Sequence, residues 1–311
     1  MKIPVVSKRT LKLMGNRFEF TVISDKEEIG QEAIDMAIEE VRRIEDLLST
    51  FKETSQTNLI NRNAGIQSVK VDNELIQLIK RSIKISAITQ GAFDISYGSI
   101  DKSLWNFDTT MTALPDPKIA LKSVCLIDYK NMMIDDQDST VMLKHRGMRI
   151  GFGGIGKGYA ADRAKQILQN IGIKSGIVNA AGDLVTWGKQ VNDKNWTIGI
   201  ADPNQCGQLF SALNISNMAI ATSGNYEKYI TIDGKKYSHT IDPKTGLPVT
   251  GIKSVTILCP SAELADALAT PIMVMGIHVG LDLINQLQHV ACIIIDDADK
   301  LYTSNNINVK H

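Results

Sequence analysis

Apolar residues recur between residues 29 and 48 at helical spacing: Ile29, Ala33, Ala37, Ile38, Val41, Ile44 and Leu48. Positions three, four and seven apart share one side of a helix, so the pattern predicts a helix capped by Asp25 and running to about Thr50. A second helix is predicted from about Asn73 to Gln90, with Leu75, Ile79, Ile83 and Ala87 as its buried stripe. Lys12–Ser24 reads as a strand before the first of these helices. Met148–Phe152 reads as a short strand leading into a glycine cluster and a helix that Gly172 ends. From Gly176 onward strands dominate: Ile177–Trp187, Trp196–Ile200, Ala212–Ile220, Tyr229–Tyr237 around an Asp233-Gly234 turn, Ser254–Leu258 and Val290–Asp296. A helix opening at Ser261 interrupts the series. Pro115 and Pro117 mark a loop, and Asp101–Thr112 before them is the candidate irregular excursion. Helices and strands come in blocks rather than in strict β-α-β alternation, which argues for the α+β class.

Composition narrows the function classes. A chain of 311 residues with 43% hydrophobic and 22% charged residues has a sizeable core and the makeup of a globular protein of one or two domains. Lys+Arg and Asp+Glu both count 34, so no global basic field points to nucleic acid or an anionic membrane. No apolar run is long enough to span a bilayer. Met1-Lys-Ile-Pro-Val-Val-Ser-Lys-Arg lacks the apolar region of a signal peptide. The expectation is a cytoplasmic protein as the chain stands, or a periplasmic, lipid-anchored one if an export segment was trimmed. Cys125, Cys206, Cys259 and Cys292 form no C-x-x-C pair and are expected to be buried free thiols.

The chemistry begins with Asp266 and Thr270. Four residues apart on the helix capped by Ser261, they stand on one face of one turn. A carboxylate and a hydroxyl so placed can hold a hard cation such as Mg²⁺, although a surface Asp over a helix that buries its alanines would read the same way. Gly151-Phe-Gly153-Gly-Ile-Gly156 matches G-x-G-x-x-G before a helix, and Gly151 through Lys157 nearly matches a P-loop. Gly158 stands where a P-loop carries Ser or Thr, and the strand ending near Asn179 offers no acidic partner for a ribose. What survives is a set of backbone N–H groups open to phosphate with Lys157 beside them, or else glycines that only let helix and strand pack closely.

Further patches fit nucleotide binding. Gly91-Ala92-Phe93-Asp94 ends the second helix, Asn179-Ala-Ala-Gly182-Asp183 breaks an apolar strand, and Ser238-His239-Thr240-Ile-Asp242-Pro243-Lys-Thr-Gly246 is dense in turn chemistry. A histidine there can be a general base or can hold the loop. With Met14-Gly15-Asn16, Ser49–Ser55 plus Asn58 and Asn61, Gly153–Asp162, Thr222-Ser-Gly224-Asn-Tyr226 and Glu263–Thr270, these segments run in order over nearly the whole chain. In that order the chain resembles the FAD:protein FMN transferases, the ApbE-type flavin transferase family.

The resemblance implies a single unit over residues 1–311, with two closely joined lobes, mixed and largely antiparallel sheets, flanking helices (T-fold-related) and FAD in the cleft. By family pattern Met14, Phe51, Ala92, Phe93 and Asp94 line the FAD site, with Phe51 stacking on a ring system. Gly154 gives a backbone carbonyl to Mg²⁺, joined by Asp266 and Thr270; Lys157 lies near the pyrophosphate and Thr240 near the FAD beside His239. Most members have Asp where this chain has Gly151, and Asn16 replaces a common Thr. Phe51 stands where some carry Tyr or a polar residue. The implied activity is Mg²⁺-dependent transfer of FMN from FAD to a threonine hydroxyl of an acceptor flavoprotein, with AMP released and His239 as candidate base. Attack by water would instead make an FAD pyrophosphatase. A non-catalytic FAD-binding protein would keep Phe51, Phe93 and Asp94 and need no metal; a dehydrogenase would need the missing ribose partner.

Overall fold

The computed structural model describes residues 4–100, 103–105, 111–201, 209–224 and 229–307. Its strands are β1 (Val5–Leu13), β2 (Asn16–Ser24), β3 (Val69–Lys70), β4 (Met132–Asp135), β5 (Thr140–Leu143), β6 (Ser175–Ala180), β7 (Asp183–Trp187), β8 (Trp196–Ala201), β9 (Leu209–Ile215), β10 (Ala219–Gly224), β11 (Tyr229–Ile232), β12 (Lys235–Ser238), β13 (Ile252–Cys259), β14 (Ala291–Asp296) and β15 (Leu301–Thr303). Its helices are α1 (Glu27–Leu48), α2 (Gln56–Arg62), α3 (Asn73–Ile88), α4 (Pro117–Ser123), α5 (Gly156–Asn170), α6 (Ala262–Met275) and α7 (Ile277–Asn285).

An eight-stranded sheet in the order β1-β2-β6-β7-β10-β13-β14-β15 forms the centre. Every pairing among the described strands is antiparallel, consistent with the α+β reading. The sheet's two faces follow from strand alternation. Val185, Ala219, Ala221, Ile257, Cys259, Cys292 and Ile294 join the main core, which also takes the apolar stripes of α1, α5 and α6. The residues between them, Leu184, Ile220, Leu258 and Ile293, join Trp196, Ile198 and Ile200 of β8, so that strand covers the opposite face. A third cluster of Ile100, Trp105, Val124, Ile230 and Ile241 seats the β11–β12 hairpin against the segments that precede β4.

Several elements differ from those the sequence pattern predicts. Lys12–Ser24 spans the end of β1, a turn and all of β2: Met14 (φ 49°) and Gly15 (φ 74°) make the two-residue turn of a hairpin whose first strand begins at Val5. Ile177–Trp187 is likewise a hairpin, broken by Ala181 (φ 56°) and Gly182 (φ 100°). Ala212–Ile220 spans the end of β9, a turn at Asn217 and the start of β10. Met148–Phe152 is no strand, and β6 beyond α5 runs antiparallel to both neighbours, so the glycine cluster does not sit in a dinucleotide-binding β-α-β unit. Lys26 rather than Asp25 is the N-cap of α1 and provides no side-chain cap. Gly172 (φ 92°) does end α5, and Ser261 does cap α6. Cys259 and Cys292 are buried free thiols, whereas Cys125 is an exposed one. Much of Asp101–Thr112, together with Cys206, Asn225 and Tyr226, lies outside the described residues or their described side chains.

Candidate active site

The glycine loop is held from two sides. Asn61 on α2 binds the backbone of Ile150 twice, donating to its carbonyl at 3.0 Å and accepting its N–H at 2.7 Å. Gly151 N–H donates to the Ile95 carbonyl at 2.8 Å. These bonds set the approach to α5, and two predicted site residues, Met14 and Phe93, stand beside it together with Thr50. A Cβ on Gly156 would lie 3.7 Å from Met14 Cε, one on Gly154 would lie 3.8 Å from Phe93 Cε2, and one on Gly151 would lie 3.5 Å from the Thr50 methyl. Phe51 follows Thr50 and is 95% exposed, a large ring with no packing role. Its N–H and that of Lys52 both donate to Ser49 Oγ at 3.1 Å, which fixes the local turn.

Ala92 is half-buried beside buried Phe93 and Asp94. Asp94 Oδ1 accepts the N–H and hydroxyl of Ser96 at 2.8 and 2.6 Å, and Oδ2 accepts the Tyr129 N–H at 2.7 Å. Both oxygens are therefore committed to the scaffold that carries the Ala92–Phe93 wall. Burial pushes this carboxyl up, against the pull of those three donors.

The charged centre lies in the first turn of α5. Lys157 Nζ contacts Asp183 Oδ2, at the start of β7, and Asp266 Oδ1 on α6 at 3.3 Å. Asp266 Oδ2 accepts the Gly158 N–H at 3.0 Å. Gly158 is glycine because α6 lies against it: a Cβ there would stand 2.1 Å from the Ala262 carbonyl oxygen and 2.8 Å from Asp266 Cβ. Burial alone would lower the Lys157 pKa, but the Asp266 and Asp183 carboxylates outweigh it and hold the ammonium above the ordinary lysine range. Burial first, and then the Asp266 charge, push the Asp183 carboxyl up, while Lys157 and the backbone of Thr222 pull it down. Thr270, one turn along α6 from Asp266, places Oγ1 3.2 Å from Ser223 Oγ on β10.

His239 and Thr240 stand on another support. Trp105 Nε1 donates to the Ser238 carbonyl at 2.9 Å, Thr240 N–H donates to Ser238 Oγ at 2.8 Å, and the Thr240 carbonyl accepts the Val249 N–H at 3.0 Å. His239 is half-buried and Thr240 buried. Tyr97 packs with this cluster, and burial raises its phenol to about 12.

The structure thus brings Met14 and Phe93 to the glycine loop that contains Gly154, and Lys157 to Asp266 with Thr270 a turn away, while His239 and Thr240 follow the β11–β12 hairpin on anchors of their own. Sequence reasoning named no role for Asp183, Ser223 or Asp162. Asp183 had a signal, a carboxylate directly after the Gly182 turn. Asp162 had none, because its partners are about a hundred residues away.

A family model described as the ApbE family matches residues 14–294. The FAD:protein FMN transferase of Treponema pallidum (strain Nichols) is 31% identical over 278 residues, covering 83% of this chain and 76% of its own length. The ApbE protein of Thermotoga maritima superposes with a TM-score of 0.86 at 30% identity, covering 97% of this chain and 98% of that one. The flavin transferase ApbE from Vibrio cholerae gives 0.81 at 26% identity, with 97% and 98% covered. A match over residues 14–294, with the fold matched end to end, makes this chain a member of the ApbE family.

Proposed function

We propose that this chain transfers FMN from FAD to an acceptor flavoprotein, the activity its relatives are named for, and that the acceptor atom is a threonine hydroxyl with AMP as leaving group. The observation that carries the reading is the meeting of an open glycine loop, ringed by Met14 and Phe93, with the Lys157–Asp266 pair. Phosphoryl-type transfer needs little covalent help from protein. It needs positioning and charge neutralisation.

The donor set fits a hard divalent cation. Asp266, Thr270 and the Gly154 carbonyl offer oxygen only, the chemistry Mg²⁺ takes. Among the described residues no group of three His, Cys, Asp or Glu competes as a metal site. Those three residues would hold Mg²⁺, which supplies positive charge against the pyrophosphate oxygens.

The chain's own groups do the rest. Lys157 and the N–H groups of the glycine loop that precedes α5 bind the pyrophosphate. Met14, Phe51, Ala92, Phe93 and Thr240 line the FAD, with Asp94 bracing that wall. His239 accepts the proton of the threonine hydroxyl as its oxygen bonds to the FMN phosphorus and the bond to AMP breaks. Incubation with FAD, Mg²⁺ and an acceptor bearing a surface threonine should leave fluorescent flavin on the acceptor through a denaturing gel, with one AMP per flavin attached. AMP release without attachment would mark a pyrophosphatase, and neither product an FAD-binding protein.

A further inference from the structure

Lys157 is asked to be in two places. Its single ammonium bridges Asp183 and Asp266, which come from β7 and α6 and meet only through it. The two carboxylate side chains are each 7% exposed, and the lysine's is 23% exposed. Two buried carboxylates face one ammonium in a poorly solvated site, so only one of them has a cation of its own. Among the described residues no other cationic side chain pairs with either. Backbone N–H groups relieve part of the excess, Gly158 on Asp266 and Thr222 on Asp183. The hydroxyls of Ser223 and Thr270 meet a turn further along α6. Two carboxylates therefore meet where a side-chain cation stands, with two hydroxyls a turn further along α6.

We infer that Asp183 is a second carboxylate ligand of the divalent-cation site, and that Lys157 holds the carboxylate pair in the metal-free protein and yields that position to the cation, turning to the FAD pyrophosphate. The inference rests on the metal-dependent reading above and adds to it a ligand and a linkage. While the ammonium holds Asp183 and Asp266 it opposes metal binding. Once displaced, it is free for phosphate, so cation and FAD each favour the other's binding. A coupling carried by one side chain is reciprocal and typically worth about 5–150-fold in affinity.

Lys157→Met tests the linkage, since it removes the charge and keeps most of the stem. Mn²⁺ binding followed by electron paramagnetic resonance without FAD, and FAD binding with and without Mn²⁺, need no turnover. Lys157→Met should bind Mn²⁺ more tightly than the parent, and Mn²⁺ should tighten its FAD binding less than it tightens the parent's. Asp183→Asn, nearly isosteric, should weaken Mn²⁺ binding by about tenfold or more, the scale on which even groups behind a metal ligand act, with an unchanged circular dichroism spectrum. If Lys157→Met binds Mn²⁺ no better than the parent and Asp183→Asn binds it as well, the inference is wrong. An Asp266→Asn variant separates the two levels. If it alone loses Mn²⁺, the proposed metal site stands without Asp183; if it keeps Mn²⁺, the metal site itself is misplaced.

Discussion

The Asp162 carboxylate on α5 accepts the hydroxyl of Ser261 at 2.8 Å and so caps a helix to which it does not belong. It also accepts the Ala262 and Glu263 N–H groups at 3.1 and 3.0 Å, while Ser261 Oγ takes the Leu264 N–H at 3.2 Å. The open amides of the first turn of α6 are thus met from two sides, with a negative charge at the positive end of the helix. The cap does more than end the helix. Together with the bond from Gly158 to Asp266, it fixes α6 on α5, and with it Asp266 and Thr270 relative to Lys157.

The two capping groups are therefore unequal. Ser261→Ala should cost about 0.5–2 kcal/mol, the usual worth of an N-cap, because Asp162 still serves two amides. Asp162→Ala removes a charged acceptor from three donors and should cost more, about 1.5–3 kcal/mol. Urea denaturation of both variants checks the order, and an equal or reversed cost would mean that the carboxylate is not the principal cap.

Close packing at Gly158 gives a second contrast. Gly158→Ala should pry α5 from α6, with an overpacking cost of about 1–3 kcal/mol and a loss of FAD turnover. A Cβ on Gly153 meets nothing within 4 Å. Gly153→Ala should leave the unfolding midpoint nearly unchanged, which shows whether the penalty at Gly158 is steric contact or merely the loss of a glycine.

The same residues show what a sequence can carry. Helical spacing from Ile29 to Leu48 and the Ser261 cap are local signals, and both elements formed where the pattern placed them. The hairpin at Met14-Gly15 was read as one strand because methionine is seldom chosen for a left-handed turn position, so its φ of 49° has no sequence signature. Asp266 and Thr270 stand out as candidates in the sequence because four-residue spacing places them on one helical face. Asp183 and Asp162 went without roles because each acts across a tertiary contact, one on Lys157 and the other on α6, and only the packing of α5 against β7 and α6 brings them there.

Acid should loosen the helical layer through Glu40. The Arg43 guanidinium, helped by Arg163, holds its carboxyl below the usual glutamate range in spite of burial. A carboxyl depressed on folding adds stability that is present above its unfolded pKa of about 4.3 and disappears as pH falls through the folded value. Arg43 is 44% exposed, so solvent screening limits the pair to about 0.3–1 kcal/mol. Arg43→Ala should lower unfolding free energy by roughly that amount at pH 7, and the gap to the parent should close near pH 3. A gap that persists in acid would assign the loss to packing of the arginine stem.

Phe51 separates binding from folding. With 95% of its surface exposed it contributes little to stability, so Phe51→Ala should leave the melting temperature unchanged. A ring stacked on FAD is worth about 0.5–1.5 kcal/mol, which is roughly a two- to twelve-fold weaker FAD affinity by flavin fluorescence titration. Phe51→Tyr should restore it. Unchanged affinity in the alanine variant would move the flavin away from this side of the glycine loop.

The last expectation concerns His239, whose hairpin is secured by Trp105, Ser238 and Val249. Those bonds run through the Ser238 carbonyl and hydroxyl and the Thr240 main chain, so these three anchors survive replacement of the imidazole. Imidazole is the common base near neutral pH, and removing a general base typically costs about 10²–10⁴-fold in rate. His239→Gln should lower flavin transfer by that factor in single-turnover measurements, while FAD affinity and melting temperature stay near the parent's. A histidine that merely holds its loop predicts the reverse: a lower melting temperature, weaker FAD binding and a nearly normal rate at saturating FAD. Rates taken at saturating FAD and well below the melting temperature tell the two apart, because only loss of the base slows the chemical step under those conditions.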